Sequence, residues 1–235
     1  RHTLSLHDAL PIYAPSLQSY LNINASAGSY GTHKESLRFG SGLLAGHWSF
    51  DGRLSNIGSN GYIDRATSQL NSYFMQGAYT SDNTLIKLLT FNGIEKTYMA
   101  WDYATKEQMK QHGRRYNPSG EYVDDKGITR YYSNQTDNYH QQNYQLIWNQ
   151  LLGNHFSFSA ALHYTAGFGY YEQYMVDQKL AKYGLTTTGL KSDLIRRKNM
   201  RNDFFGGVYA LNYKQNRLEA SDRKSTRLNS SHRSL

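Results

Sequence analysis

The chain has no cysteine and only 3 prolines in 235 residues. Disulfides are ruled out, while the lack of cysteine fits many compartments and selects none. No stretch approaches the ~18 consecutive apolar residues that a membrane-spanning helix needs. A helical membrane protein is thereby excluded. A β-barrel is not, because its strands alternate and average out to polar, as the mean hydropathy of −0.73 does here. Catalytic signatures are missing too: there is no glycine-rich phosphate loop, nucleophile elbow or zinc motif, and no histidine pair at metal-ligand spacing. The expectation is of no enzyme, no metal and no cofactor. No signal peptide is visible, which carries no information because the true N-terminus is expected to be missing.

Both termini read as foreign to the rest. Residues Thr3-Leu4-Ser5-Leu6-His7-Asp8-Ala9-Leu10-Pro11-Ile12 and Asp222-Arg223-Lys224-Ser225-Thr226-Arg227-Leu228-Asn229-Ser230-Ser231-His232 resemble translated short-read sequencing adapters. The expected division is 1–12 adapter-derived, 13–220 authentic protein and 221–235 adapter-derived. Of the net charge of +8, residues 221–235 contribute +3 and 1–12 contribute zero, leaving +5. The basic pI therefore overstates the charge of the authentic part, and with no recognised binding module beside it a nucleic-acid partner is not expected.

The chain is instead rich in tyrosine (21) and glycine (20), and its main signal is period-two alternation. Trp48, Phe50, Gly52 and Leu54 oppose Ser49, Asp51, Arg53 and Ser55. Phe156, Phe158, Ala160, Leu162 and Tyr164 oppose Ser157, Ser159, Ala161 and His163. Similar ladders run through Leu37 to Leu43, Tyr144 to Trp148 and Phe205 to Tyr213, more weakly through Leu17 to Gly28, and in ambiguous phase through 71–80 and 83–92. The pattern predicts eight strands and the start of a ninth near Arg217. Tight turns are expected at Leu44-Ala45-Gly46, Ser81-Asp82-Asn83, Leu152-Gly153-Asn154 and Lys214-Gln215-Asn216. The connections between them fall at Ser29 to His33, Ile57 to Leu70, Ile94 to Tyr139 and Gly167 to Asn202. Short turns at one end and long loops at the other suit an outer-membrane barrel. In hydrocarbon every backbone donor needs a partner, so a spanning sheet must close. Apolar faces would then meet lipid, with Arg38, Asp51, Arg53 and His163 in a wet lumen. A soluble sandwich would show the same alternation with the apolar face turned inward.

Several segments resemble the first part of the barrel of TonB-dependent receptors, just after the plug domain. These are Ala27-Gly28-Ser29-Tyr30-Gly31-Thr32, Asp51-Gly52-Arg53-Leu54-Ser55, Ser59-Asn60-Gly61-Tyr62-Ile63-Asp64-Arg65-Ala66, Tyr98-Met99-Ala100-Trp101, Arg115-Tyr116-Asn117-Pro118-Ser119-Gly120, Thr136-Asp137-Asn138-Tyr139 and Leu162 to Tyr174. The resemblance implies an all-β transmembrane antiparallel barrel fragment, about 8–9 strands of 22. It also implies active uptake of a scarce solute such as a ferric siderophore, an outer-membrane location and energy from the TonB system through a segment not present here. The expected partners are outer-membrane lipid, lipopolysaccharide and a small-molecule ligand; a passive porin, another outer-membrane barrel or a soluble carbohydrate-binding sandwich are the alternatives.

Two groups are candidates for ligand contact. Tyr98, Trp101, Tyr116, Tyr131 and Tyr132 lie in the long loop, with Tyr103 and Tyr122, and aromatic rings there would stack on a planar or sugar-like ligand. Equally, they would pack the loop against its neighbours. Arg196 and Arg197 belong to a basic run (Lys191, Arg196, Arg197, Lys198, Arg201) placed ahead of the eighth strand, suited to an anionic chelate or to lipopolysaccharide phosphates, or to a plain solvated face. Asp124-Asp125 lacks calcium-loop spacing and is expected to be a hairpin turn.

Overall fold

The computed structural model describes residues 16–185, 189–215 and 218–234. The adapter-like residues 1–12 lie outside it. Nine strands form one antiparallel sheet in chain order: β1 (Ser19–Gly28), β2 (Thr32–Ser41), β3 (Trp48–Ser59), β4 (Ser68–Thr80), β5 (Thr84–Tyr98), β8 (Thr136–Leu152), β9 (Phe156–Lys179), β10 (Lys191–Gln215) and β11 (Leu218–Ser234). Between β5 and β8 lie the helix α1 (Lys106–His112) and a small hairpin of β6 (Glu121–Val123) and β7 (Thr129–Tyr131). The protein is all-β, an up-and-down meander whose sheet does not close on itself. No described helix is long and apolar enough to cross a membrane.

Substantial contacts between sheet strands join only neighbours in the sheet, so among the described residues no second layer covers either face. The two faces nevertheless differ. Along β3 and β4 the register opposes Phe50 to Gly77 and Leu54 to Tyr73 on one face, and Ser49 to Ala78 and Asp51 to Gln76 on the other. Phe50 is 52% exposed, whereas Ser49 is 1% and Gln76 3%. The apolar face continues through Ile86, Leu88, Leu146, Trp148, Leu162, Phe205 and Tyr209, all exposed. The opposite face buries Lys87, Asn143 and Asn149 beside Leu89 and Ile147. With no covering layer, burial confined to one face means that the sheet curls toward it.

Contacts among the outward side chains gather near two levels. Trp48 packs on Tyr79 at 4.9 Å, Trp148 on Phe158 at 5.2 Å and Phe156 on Tyr213 at 4.8 Å, toward the short turns. Tyr144 stacks on Tyr164 at 6.3 Å higher up. Glycines on this face are roofed by neighbouring rings: a Cβ on Gly52 would meet Phe39 Cζ at 2.3 Å, so Gly52 keeps the alternation without a side chain of its own. Polar residues just above Tyr144 bond to one another, with Tyr73 Oη to Gln142 Oε1 at 3.0 Å and Tyr164 Oη to Asp203 Oδ1 at 2.7 Å.

Two expected boundaries are corrected. The connection placed at Gly167 to Asn202 is mostly strand: β9 runs to Lys179 and β10 starts at Lys191, in register across Arg201 and Phe168. The basic run thus lies inside β10. The loop expected from Ile57 to Leu70 shrinks to 60–67 because β3 and β4 pair as far as Ser59 and Ser68. Both strands extend past the region where alternation marks them, since ladder hydrogen bonding does not need an apolar face. The β1–β2 turn puts Tyr30 (φ 60°) and Gly31 (φ 62°) both in the left-handed region, the primed geometry that hairpins favour and that glycine adopts freely.

Candidate functional site

The longer connections emerge at one end of the sheet, and the 60–67 and 99–135 loops form one structure. Residues 99–135 are ordered around a core of their own, with Met99, Asn117 and Ser119 each 1% exposed or less. Asn117 is its centre. Its Nδ2 donates to the carbonyls of Asp64 (3.0 Å) and Met99 (3.1 Å), and its Oδ1 accepts from Ser119 N (3.0 Å). The 60–67 loop is tied in by Arg65, whose guanidinium donates to the Asn117 carbonyl and lies 3.6 Å from the centre of the Tyr131 ring. Asp64 pairs with Arg115 at 3.2 Å. Arg115 in turn sits within 6.0 Å of the Tyr30 and Tyr62 rings, which meet edge to face at 5.6 Å.

The loop is latched to the β9–β10 overhang through Glu172. Its carboxylate is 2% exposed, and it accepts from the Tyr132 hydroxyl, from Asn134 Nδ2 (2.6 Å) and from Arg197 Nε. Burial raises the Glu172 pKa, but the hydrogen bonds from Tyr132, Asn134 and Arg197 together outweigh it and hold the group below its ordinary value. The same contact, after burial, pushes the Tyr132 phenol up to about 12. Beside it, Gln135 Oε1 accepts from Tyr174 N at 2.9 Å, and Tyr122 stacks on Tyr174 at 4.4 Å. Because β8 begins only at Thr136, β9 beyond Tyr171 would present a bare edge. The loop covers it with these contacts.

The expected ligand residues therefore divide. Tyr98 and Tyr116 are buried: the Tyr98 hydroxyl donates to the carbonyls of Ser119 (3.2 Å) and Tyr132 (2.8 Å), and that of Tyr116 to Glu121. Tyr132 is committed to Glu172. These three pack the loop. Trp101 is 48% exposed, set edge-on to Tyr171 at 5.3 Å, and Tyr131, under Arg65, is 37% exposed. Arg196 and Arg197, being adjacent on a strand, point to opposite faces: Arg196 bonds Gln173 and Arg197 bonds Glu172. The structure does not gather the basic run into one patch. Asp124 caps its own turn, accepting from Lys126 N (3.0 Å) and Ile128 N (2.9 Å), and no group of three or more potential metal ligands occurs among the described residues.

Sequence reasoning missed Asn117, Arg65, Arg115 and Glu172. The Asn117-Pro118 dipeptide marks a turn, and nothing local in the sequence signals the others. It also missed α1, although Thr105 and Gln108 form a capping box over Lys106–His112 that is legible as a Thr-x-x-Gln pattern.

On the concave face lies a recess of about 880 Å³, whose lining includes Asn24, Lys34, Arg38, Arg53, Ser55 and Asn143. Comparison with protein-family models finds no match, and comparison with curated proteins finds no similar sequence. Fold and site together define an all-β protein: one antiparallel meander with an exposed apolar face, a polar concave face and an ordered cap of loops at one end.

Proposed function

We propose that the chain is part of the wall of an outer-membrane β-barrel, and that the barrel is a TonB-dependent receptor for active uptake of a scarce solute, a ferric siderophore or similar chelate. The observation that carries the membrane reading is the inverted polarity of the sheet. Large apolar side chains stand exposed in a continuous band, while Ser49, Gln76, Lys87, Asn143 and Asn149 are buried opposite. Water-soluble sheets do the reverse. The height of the band supports the reading. At ~3.4 Å per residue and a tilt of ~40°, β9 rises roughly 21 Å from Phe156 to Tyr164 and roughly 31 Å to Phe168, which brackets the ~25 Å apolar band of such barrels. The loop-bearing end is then the outer one. The receptor assignment rests on the segments that resemble that family, and a plugless porin would share the wall.

The test is tryptophan quenching in the whole chain, refolded in micelles with brominated detergent, using variants that retain one tryptophan each. Trp48 and Trp148 are expected to be quenched and Trp101 to be spared. A chain that folds as a monomer without detergent, with the three tryptophans quenched alike, would overturn the membrane reading. Sequence upstream of residue 13 decides between receptor and porin, since only the receptor carries a plug there.

A further inference from the structure

We infer that a groove on the outward face, at the upper limit of the apolar band, is a binding site for the phosphate-bearing headgroup of a membrane lipid, with Lys96 as its cation. The register aligns two rows across β5, β8 and β9: Ile94, His140 and Phe168 in one, and Lys96, Asn138 and Tyr170 in the other, two residues further from the short turns. Even spacing from Leu88 and Leu162 puts both rows on the apolar face, and Glu95, one residue out of step, on the opposite one. The six side chains line a groove of about 410 Å³. Its lower row is still largely apolar. Phe168 is 56% exposed and Ile94 44%, and His140 meets Phe168 edge-on at 4.7 Å. The upper row is polar. A groove apolar at one end and cationic at the other, placed where such a wall passes from hydrocarbon to water, fits an amphiphile with its acyl chain below and its phosphate above.

The charge balance selects Lys96 over the neighbouring arginines. Arg201, opposite Phe168, pairs with Asp203 at 3.5 Å, and Arg197, over the Tyr170 ring at 4.6 Å, pairs with Glu172. Lys96 forms no ion pair among the described residues. Glu35, on the same face, stands on β2, three strands from β5, or about 14 Å at ~4.8 Å per strand. The Asn92 amide, its Oδ1 held by Tyr73 N, donates through Nδ2 to His140 Nε2 at 3.5 Å. Nδ1 then carries the proton of the neutral ring, a second donor in the groove wall.

This site rests on the membrane reading, and the experiment separates the two. The probe is phosphatidic acid, titrated into neutral micelles that hold the whole refolded chain, with phosphatidylcholine as the comparison. The readouts are the thermal midpoint and the lipid retained by the chain on gel filtration. Phosphatidic acid, whose phosphate charge is uncompensated, is expected to raise the midpoint and to be retained. Phosphatidylcholine, whose choline cancels its phosphate, is not. Lys96→Gln should weaken the phosphatidic acid response about fivefold, the worth of one lysine at an anionic surface, and Lys96→Arg should restore it. Lys198→Gln, on the concave face against Tyr171, should keep the full response. No response to phosphatidic acid, equal responses to the two lipids, or an unchanged response in Lys96→Gln would overturn the groove while Trp48 and Trp148 stay quenched by brominated detergent. Loss of that quenching would overturn the membrane reading and the groove with it.

Discussion

Replacing Glu172 with alanine should open the outer loop and leave the sheet intact. The carboxylate sits outside the apolar band, four residues beyond Phe168 on β9, and accepts from Tyr132, Asn134 and Arg197. Hydrogen bonds to a charged acceptor are each worth about 1.5–3 kcal/mol. The Arg197 side chain is 54% exposed and re-solvates when its partner leaves, so its share is discounted to that of a surface pair. The donors of Tyr132 and Asn134 remain, and water entering the opened site recovers part of their loss. The balance is about 3 kcal/mol, or roughly a 150-fold rise in the opening equilibrium at tenfold per 1.4 kcal/mol. Glu172→Gln keeps an acceptor and the volume, and should open the loop by a smaller factor.

Hydrogen exchange reads this directly. The amides of Met99 (to the Gln135 carbonyl, 2.8 Å) and Tyr132 (to the Gly120 carbonyl, 2.7 Å) report on the loop, and the β3–β4 ladder amides serve as the internal reference. Faster exchange at the first two with an unchanged reference is the expected result. Unchanged exchange at Met99 and Tyr132 in the alanine variant would mean that the Asn117 core alone holds the loop, and the latch would be refuted. Acid should act like the mutation. The folded pKa of Glu172 lies below its ordinary value of 4.5, so its contribution is complete above that value and is lost as pH falls through the lower folded one. Loop proteolysis should therefore rise only at pH below about 4.5.

At the middle of the apolar band, Leu146→Arg should cost about 2–4 kcal/mol in micelles, whereas Gln145→Arg, its neighbour on the concave face, should cost little; since a soluble sheet would tolerate both within about 0.5 kcal/mol, equal small losses in denaturant titrations would discredit the outward face as a lipid face. Alkali should also release the loop. Burial, then the hydrogen bond to Glu121, pushes Tyr116 up to about 12, as burial and Glu172 do for Tyr132. A raised pKa makes a contribution that is complete below the ordinary value of 10 and is lost as pH rises through the folded one. Tyrosinate absorbance should show these two ionising together with loop opening, and titration of every tyrosine near 10 would contradict their burial.

How much of this was legible depended on which force shaped each segment. Where one face meets apolar surroundings, side chains alternate, so β3 and the first half of β9 are visible residue by residue. Beyond Phe168 neither face is apolar; Tyr170-Tyr171-Glu172-Gln173-Tyr174 and Arg196-Arg197-Lys198 carry no period of two, and the overhang reads as loop although its backbone pairs out to Lys179 and Lys191 with a single irregularity between Ser192 and Leu194. The cap was illegible for a different reason. Its contacts join Asp64 to Asn117 and Tyr132 to Glu172, pairs too far apart in sequence for any local pattern, so nothing local marks Tyr98, Tyr116 and Tyr132 as the rings that pack the loop. The last strand shows the reverse case, backbone pairing without a matching side-chain pattern. The apolar row of β10 places Leu211 opposite Asp222 and Tyr209 opposite Lys224, and on the proposed lipid-facing wall a lysine at mid-membrane would cost about 2–4 kcal/mol. Alternation ends at Ala220, within the strand and next to the start of the adapter-like residues. From there the register is carried by backbone pairing with β10 rather than by an amphipathic pattern, and a register so weakly specified is the kind most prone to slip. β11 is accordingly the strand expected to exchange fastest with solvent, whereas β3, patterned on both faces and paired on both edges, should exchange slowest.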